Sequence, residues 1–121
     1  MNTSILATIK KMLGLDPSYT AFDTDITIHI NSALMVLTQL GVGTSSGFYI
    51  QGDTTTWEDF LGGYEDLEGA KTYVYLKTRI TFDPPQSSFV LTAYQKEIEQ
   101  LEWRLNVQAE RSVASVVTTD D

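Results

Sequence analysis

The fold is decided by FDTDITIHINSALMVLTQLGVG, residues 22–43, which has the pattern of one helix with both ends marked. Asp23 or Thr24 is expected to cap its N-terminus, because a short side-chain oxygen there accepts hydrogen bonds from the free N–H groups of the first turn. Gly41 is expected to end it, since glycine adopts the left-handed conformation without steric cost. Between these ends, apolar residues recur at helical spacing on one face: Ile26, Ile30, Ala33, Leu34, Leu37 and Leu40.

The same helix has further apolar residues outside that face. Ile28 and Met35 lie seven residues apart and fall off the main stripe. A helix that is apolar on more than one side is usually covered on more than one side. We therefore predict either that this is the central helix of the domain or that a partner covers its second face.

Length and composition indicate one domain. The chain has 121 residues, which is enough for a hydrophobic core, and it contains no cysteine. Neither a disulfide framework nor a thiolate metal site can therefore form. The first residues lack the basic and long apolar segments of a signal peptide, and no apolar run approaches the roughly 20 residues of a membrane helix. These features predict a soluble protein made in the cytoplasm.

The charge is uneven along the chain. The formal net charge is −8, and residues 23–69 contain eight acidic residues and no Lys or Arg. Nucleic-acid binding depends on Lys and Arg contacts to phosphate, so this middle segment is expected to repel DNA. It would attract a basic protein surface instead. We select five of its carboxylates as a candidate channel or docking surface: Glu58, Asp59, Glu65, Asp66 and Glu68.

The rest of the chain predicts three more main helices and one short one. A first helix covers residues 4–13, and Thr56 to Asp59 resembles a capping box that starts a brief helix. A third main helix covers residues 67–82 and stops at Asp83-Pro84-Pro85. Ser87 or Ser88 caps a last helix that is expected to end near Ala109. The predicted fold is an all-α bundle of about four main helices, with a long C-terminal helix and a flexible tail.

The last eleven residues lack a helical apolar period. We therefore divide the chain into a helical domain, residues 1–110, and a tail, residues 111–121, that is expected to be disordered when free. The tail is nevertheless apolar enough to dock in a groove or add to a sheet edge of a partner. The residues expected to make that contact are Val113, Val116 and Val117.

No constellation of catalytic or metal-binding residues is visible in the sequence. His29 is the sole histidine, and no cysteine stands near it to form a pair, so a structural or interface role is favoured. Asp23 and Asp25 could bind a hard cation, but capping and the helix dipole explain them more simply. The glycine-rich loop after residue 41 follows a helix rather than a strand and lacks the lysine of a nucleotide loop. We predict no catalytic residue, no cofactor and no metal.

The last helix also has two faces. A seam at spacings of three and four consists of Leu91, Tyr94, Ile98, Leu101 and Leu105. Trp103 lies on the opposite face, in line with Phe89 and Lys96. Its indole either packs on loops of its own chain or contacts another subunit, where aromatic residues are enriched. We select Ile28 and Met35 of the central helix and Phe89 and Trp103 of the last helix as the candidate subunit interface.

Several ordered motifs resemble one family. They run from an N-terminal Ile-Lys-Lys-Met-Leu-Gly-Leu through residues 22–26, 29–32, 39–43, 57–60, 73–77 and 82–85 to Leu-Glu-Trp-Arg-Leu-Asn at 101–106. Together they closely resemble the head–tail connector, or adaptor, proteins of long-tailed double-stranded-DNA bacteriophages and prophages. The resemblance covers residues 5–108, nearly the whole chain.

The resemblance implies a structural role in the virion. Such a protein is a small helical bundle that assembles as a homo-oligomeric ring under the portal protein. It joins the portal to the next neck, stopper or tail protein and leaves a channel for genomic DNA, without catalysis or a cofactor. The alternative is a small helical regulatory or nucleic-acid-associated domain. That alternative would need a basic recognition helix, whereas the most basic segment, residues 71–79, carries three positive charges on a helix with a buried apolar face.

Overall fold

The structure is a computed structural model, and it describes residues 4–43, 48–62 and 67–119, with side chains described over 4–43, 48–62 and 68–110. Within these ranges the chain forms five helices and no β-strand, and an isolated antiparallel bridge joins Ser4 to Thr56. The predicted all-α fold is confirmed. The helices are α1 (Ile5–Met12), α2 (Asp23–Gln39), α3 (Trp57–Leu61), α4 (Leu67–Phe82) and α5 (Ser88–Thr119).

The core lies between α2 and α4. α1 packs against both of these helices, and α5 packs against α4. Five apolar residues of the predicted stripe on α2 are fully buried: Ile26, Ile30, Ala33, Leu34 and Leu37. The short helix α3 contributes Trp57 and Phe60, which are also buried, and the Trp57 indole N–H donates to the Thr8 hydroxyl at 3.1 Å. α2 is therefore covered on its inner side by its own chain.

The start of α2 differs from the prediction. The helix begins at Asp23, and its N-cap residue is Phe22, which makes no side-chain capping bond. The Asp23 carboxylate instead lies 2.8 Å from the Lys10 ammonium, which is only 3% exposed and also donates to the Pro17 carbonyl at 2.9 Å. A buried ammonium needs a counter-charge, and this requirement determines where Asp23 points.

The end of α2 agrees with the prediction. Gly41 has a φ of +93°, its N–H donates to the Thr38 carbonyl, and the Val42 N–H donates to the Leu37 carbonyl at 2.9 Å. This is the left-handed helix end that glycine permits. From α5, the Asn106 side chain donates to the Leu40 carbonyl at 3.1 Å, so the last turn of α2 is also held by a distant helix.

An extended segment at residues 48–50 is held against α2 by one side chain. Asn31 accepts from the Ile50 N–H at 2.7 Å and donates to the Ile50 carbonyl at 3.3 Å. The Phe48 ring lies 5.1 Å from the Phe60 ring, centroid to centroid. The turn before α3 then forms the predicted capping box, in which Thr56 and Asp59 bond each other's backbone N–H groups.

α5 is longer than predicted. Its backbone continues to Thr119 instead of ending near Ala109. No glycine or proline follows Pro85, so no residue in this segment interrupts the hydrogen-bond ladder. The side chains of Val113, Val116 and Val117 lie outside those the structure describes. The expected disorder of residues 111–121 in the free protein stays a prediction.

Candidate subunit and docking surfaces

α2 presents a line of exposed side chains on the side opposite the core. Ile28 is 57% exposed and Met35 is 53% exposed. Asp25, Ser32 and Gln39 are exposed as well, and with Ile28 and Met35 they recur at spacings of three and four. We call these five residues the outer face of α2. Both candidate interface residues of this helix therefore lie on the surface of the isolated chain.

α5 presents a similar line. Phe89 is 84% exposed and Trp103 is 69% exposed, whereas Leu101 and Leu105 on the inner seam are buried. The outer face of α5 consists of exposed residues at spacings of four and three: Phe89, Ala93, Lys96, Gln100 and Trp103. Trp103 does not belong to the core of the described residues. Its indole lies beside a hollow of about 560 Å³ lined by Lys96, Glu99, Gln100 and Arg104.

A groove lies beside the outer face of α2. Its volume is about 450 Å³, and residues from α1, the first half of α2 and the turn at 52–53 line it. We call it the α2 groove; its lining residues are Leu6, Asp23, Thr24, Thr27, Ile28, Gly52 and Asp53. Asp53 is exposed, while the charge of Asp23 is compensated by Lys10. The groove therefore combines two apolar side chains, Leu6 and Ile28, with threonines and an exposed carboxylate.

The predicted acidic surface is only partly described. Glu58, Asp59 and Glu68 are exposed, whereas Glu65 and Asp66 lie outside the described residues. Asp59 accepts from the Thr56 N–H at 3.0 Å as part of the capping box. Glu68 lies 3.7 Å from the Lys71 ammonium one turn later in α4. Glu58 and Glu68 are therefore the described carboxylates of this surface whose side chains lie outside the capping box of Thr56 and Asp59.

An exposed aromatic cluster was not identified from the sequence. Tyr19 and Phe22 are 48% and 40% exposed. Their rings lie 5.7 Å apart, and Phe22 lies 5.4 Å from Phe82 at the end of α4. His29 is half-buried, and its ring lies 6.5 Å from the same Phe82 ring. Because Tyr19 and Phe22 lie in a turn, no periodic pattern could have identified them.

One side-chain hydrogen bond in the interior joins two of the helices. The Tyr73 hydroxyl donates to the Glu102 carboxylate at 2.7 Å and thereby joins α4 to α5. Burial, together with this hydrogen bond, raises the pKa of Tyr73 well above its ordinary value. In the described part of the chain, no three His, Asp or Glu residues are close enough together to hold a metal ion. No helix there is long and apolar enough to cross a membrane.

The sequence profile of the phage connector protein family matches residues 5–112. The chain belongs to the phage connector family. The resemblance to head–tail connectors found in the sequence is thus confirmed, and it places the connector in the phage particle. The family is structural rather than enzymatic. Neither the curated proteins nor the solved structures include a match to the connector.

Proposed function

We propose that the connector forms a homo-oligomeric ring under the portal of a filled capsid and joins the portal to the next neck, stopper or tail protein. The ring leaves a central channel through which genomic DNA passes without sequence-specific binding. One observation carries the proposal. α2 and α5 each bury most of an apolar stripe within the chain, with Leu40, Leu91 and Tyr94 half-buried, and still expose large apolar residues on the opposite side.

Contiguous exposed apolar patches usually mark contacts between proteins, and we propose that the apolar residues of each outer face form part of such a contact. Ile28 and Met35 on one helix, and Phe89 and Trp103 on another, give each subunit two different surfaces. When two different surfaces meet between copies, the contact is head to tail, and repetition of that contact closes a ring if the rotation allows it. This arrangement makes every subunit use both outer faces.

The remaining surfaces have separate roles in this proposal. The acidic surface at Glu58, Asp59 and Glu68, continued in sequence by Glu65 and Asp66, approaches the DNA channel or docks on a basic portal rim. Each carboxylate is repeated in every subunit, so a ring multiplies a modest charge into a strong field. The tail residues Val113, Val116 and Val117 contact the portal.

The joining role is tested by omitting the connector. Particles assembled without it should separate into filled heads and free tails in electron micrographs, and purified connector should restore joined particles. A matched control adds the connector that carries Thr92→Ser, a mild change at an exposed position outside both outer faces. Normally joined particles in the absence of the connector would contradict the proposed function.

A further inference from the structure

The two outer faces differ in charge. The outer face of α2 contains Asp25, and Asp53 stands beside it in the α2 groove. Among the residues that the structure describes, neither carboxylate forms an ion pair. On α5, Lys96 belongs to the outer face, and it likewise has no ion pair within the described residues. The outer face of α2 therefore carries a carboxylate, and the outer face of α5 carries an ammonium at its centre, with the exposed Glu99 beside it.

The α2 groove has the composition of a site for a large apolar side chain beside a cation. Leu6 is buried and Ile28 is exposed, and both line the groove. Asp25 lies one helical turn before Ile28, and Asp53 belongs to the turn that closes the groove. Because Lys10 compensates Asp23, the carboxylates left for a partner are Asp25 and Asp53.

α5 supplies side chains of the matching kind. Trp103 projects from the helix with 69% of its surface exposed. Lys96 precedes it by seven residues, about 10.5 Å along the same face. Arg104 follows directly, and its guanidinium lies 3.6 Å from the Glu97 carboxylate, with both side chains about half exposed. Such an exposed pair is weak, so Arg104 can bond elsewhere at little cost.

We propose that Trp103 of one connector copy occupies the α2 groove of the next copy, beside Ile28, while Lys96 and Arg104 face Asp25 and Asp53. The occupant is a second copy of this chain. Both complementary surfaces are present on every copy, so one contact type satisfies both of them around a ring. The inference rests on the proposed ring and specifies which residues meet within it.

Electrostatics sets the order of events in this contact. Opposite charges on the two faces steer the approach and fix the register, and like charges placed opposite each other oppose association. The buried indole then supplies most of the attraction, as tryptophan does at the centres of interfaces. Nucleic acid is excluded as the occupant because the groove is acidic.

A charge exchange tests the pairing. One variant carries Asp25→Lys and Asp53→Lys, a second carries Lys96→Glu and Arg104→Glu, and a third combines all four changes. The combined variant restores both the net charge and the proposed ion pairs, so it is the matched control. Each purified variant is first checked by circular dichroism and thermal melting, and particles assembled with it are then scored for bound connector.

We expect each two-site variant to reduce bound connector roughly tenfold or more, and the combined variant to recover most of the loss. Wild-type occupancy by either two-site variant would overturn the pairing. Loss without recovery in the combined variant would also overturn it, since these residues would then contact a different partner. In either case, the proposed function would still hold if the wild-type chain forms rings. If wild-type particles contain no ring, both the proposed function and the pairing are wrong.

Discussion

At the scale of single residues, the environment of Tyr73 allows us to predict how the free energy of unfolding depends on pH. Its ring is fully buried, and its hydroxyl bonds Glu102 across the contact between α4 and α5. Burial raises the pKa of Tyr73, and the Glu102 carboxylate raises it further. A group whose pKa is raised on folding stabilises the folded state below its unfolded pKa. That stability declines as the pH rises from the unfolded value of about 10 toward the folded one.

Replacing Tyr73 by Phe removes the hydroxyl and keeps the ring. At pH 7 we expect Tyr73→Phe to lower the free energy of unfolding by about 1 kcal/mol, because one hydrogen bond is lost. Near pH 11 the difference between the variants should close by about 1 kcal/mol, since only the wild type then ionises this hydroxyl on unfolding. Urea melts at both pH values measure this, and an equal difference at each would contradict the assignment.

A second prediction at the residue scale concerns the loss of stability when Gly43 is replaced. Its φ is +100°, and a Cβ at this position would lie 2.8 Å from Cε1 of the buried Phe60 ring. Gly43→Ala therefore combines backbone strain with a clash and should cost roughly 2 kcal/mol or more. Gly14→Ala is the matched control, because Gly14 has a φ of +84° and nothing within 4 Å of the added Cβ.

Thermal or chemical unfolding of the two glycine variants separates the cost of backbone strain from the cost of the clash with Phe60. Gly14→Ala carries the strain alone and should cost about 1 kcal/mol. If Gly43→Ala cost no more than Gly14→Ala, the Phe60 ring would have moved aside freely. The close packing between the segment after α2 and α3 would then be wrong.

At the scale of elements, the features that could be predicted from the sequence are those that depend on residues close together in the chain. The bounds of α4, the capping box at Thr56 and the left-handed end at Gly41 each depend on residues within one turn of one another. Pairs distant in sequence were not predicted. Asp23 with Lys10, Asn31 with Ile50 and Asn106 with Leu40 depend on tertiary packing, which no periodic pattern contains.

The same distinction between local signals and tertiary packing applies to the candidate surfaces. The apolar residues outside the inner stripes of α2 and α5 were identified by helical spacing, and the structure leaves those side chains exposed. Asp53 was not linked to Ile28, because the groove between them forms only when the turn at 52–53 packs beside α2. The end of α5 was misjudged since a missing apolar stripe was taken as a missing helix.

The segment after Glu110 is the element whose role can be isolated by truncation. Ala109 is buried, with its Cβ 3.1 Å from the place where a Gly41 Cβ would lie, so a chain ending at Glu110 keeps this contact. We expect that truncation to change the free energy of unfolding by no more than about 0.5 kcal/mol. Binding to isolated heads, measured by co-sedimentation, should fall.

The full-length chain is the control for the truncation. Sharp amide signals from residues 111–121 in the free protein, and protection of these amides in the assembled neck, would agree with ordering on the portal. A loss of about 2 kcal/mol or more in the truncated chain would instead show that the segment packs against its own domain.

At the scale of the whole molecule, we predict that DNA passage or docking depends on the charge of the acidic surface. Glu58→Lys with Glu68→Lys alters two exposed carboxylates and leaves the Asp59 cap intact. We expect this variant to slow DNA passage or weaken docking, and the effect should shrink at high salt. Glu58→Gln with Glu68→Gln is the neutral control and should have a smaller effect. If particles with the Lys variant assemble and eject DNA normally, the acidic charge serves solubility alone and the prediction is wrong.

We predict that formation of the proposed ring depends most on Trp103. Its indole is 69% exposed in the single chain, so Trp103→Ala should leave the helical content of the monomer intact. Truncation of an interface tryptophan typically costs about 2 kcal/mol or more in association. Ring formation should therefore fail although the protein folds.

Electron cryo-microscopy of the head–tail junction tests this claim most directly. Class averages of particles with the wild-type connector should show a closed ring of density under the portal. Particles assembled with a folded Trp103→Ala connector should lack that ring. A normal ring in the variant particles, or a Trp103→Ala monomer that unfolds, would contradict the assignment of Trp103 to the contact between subunits.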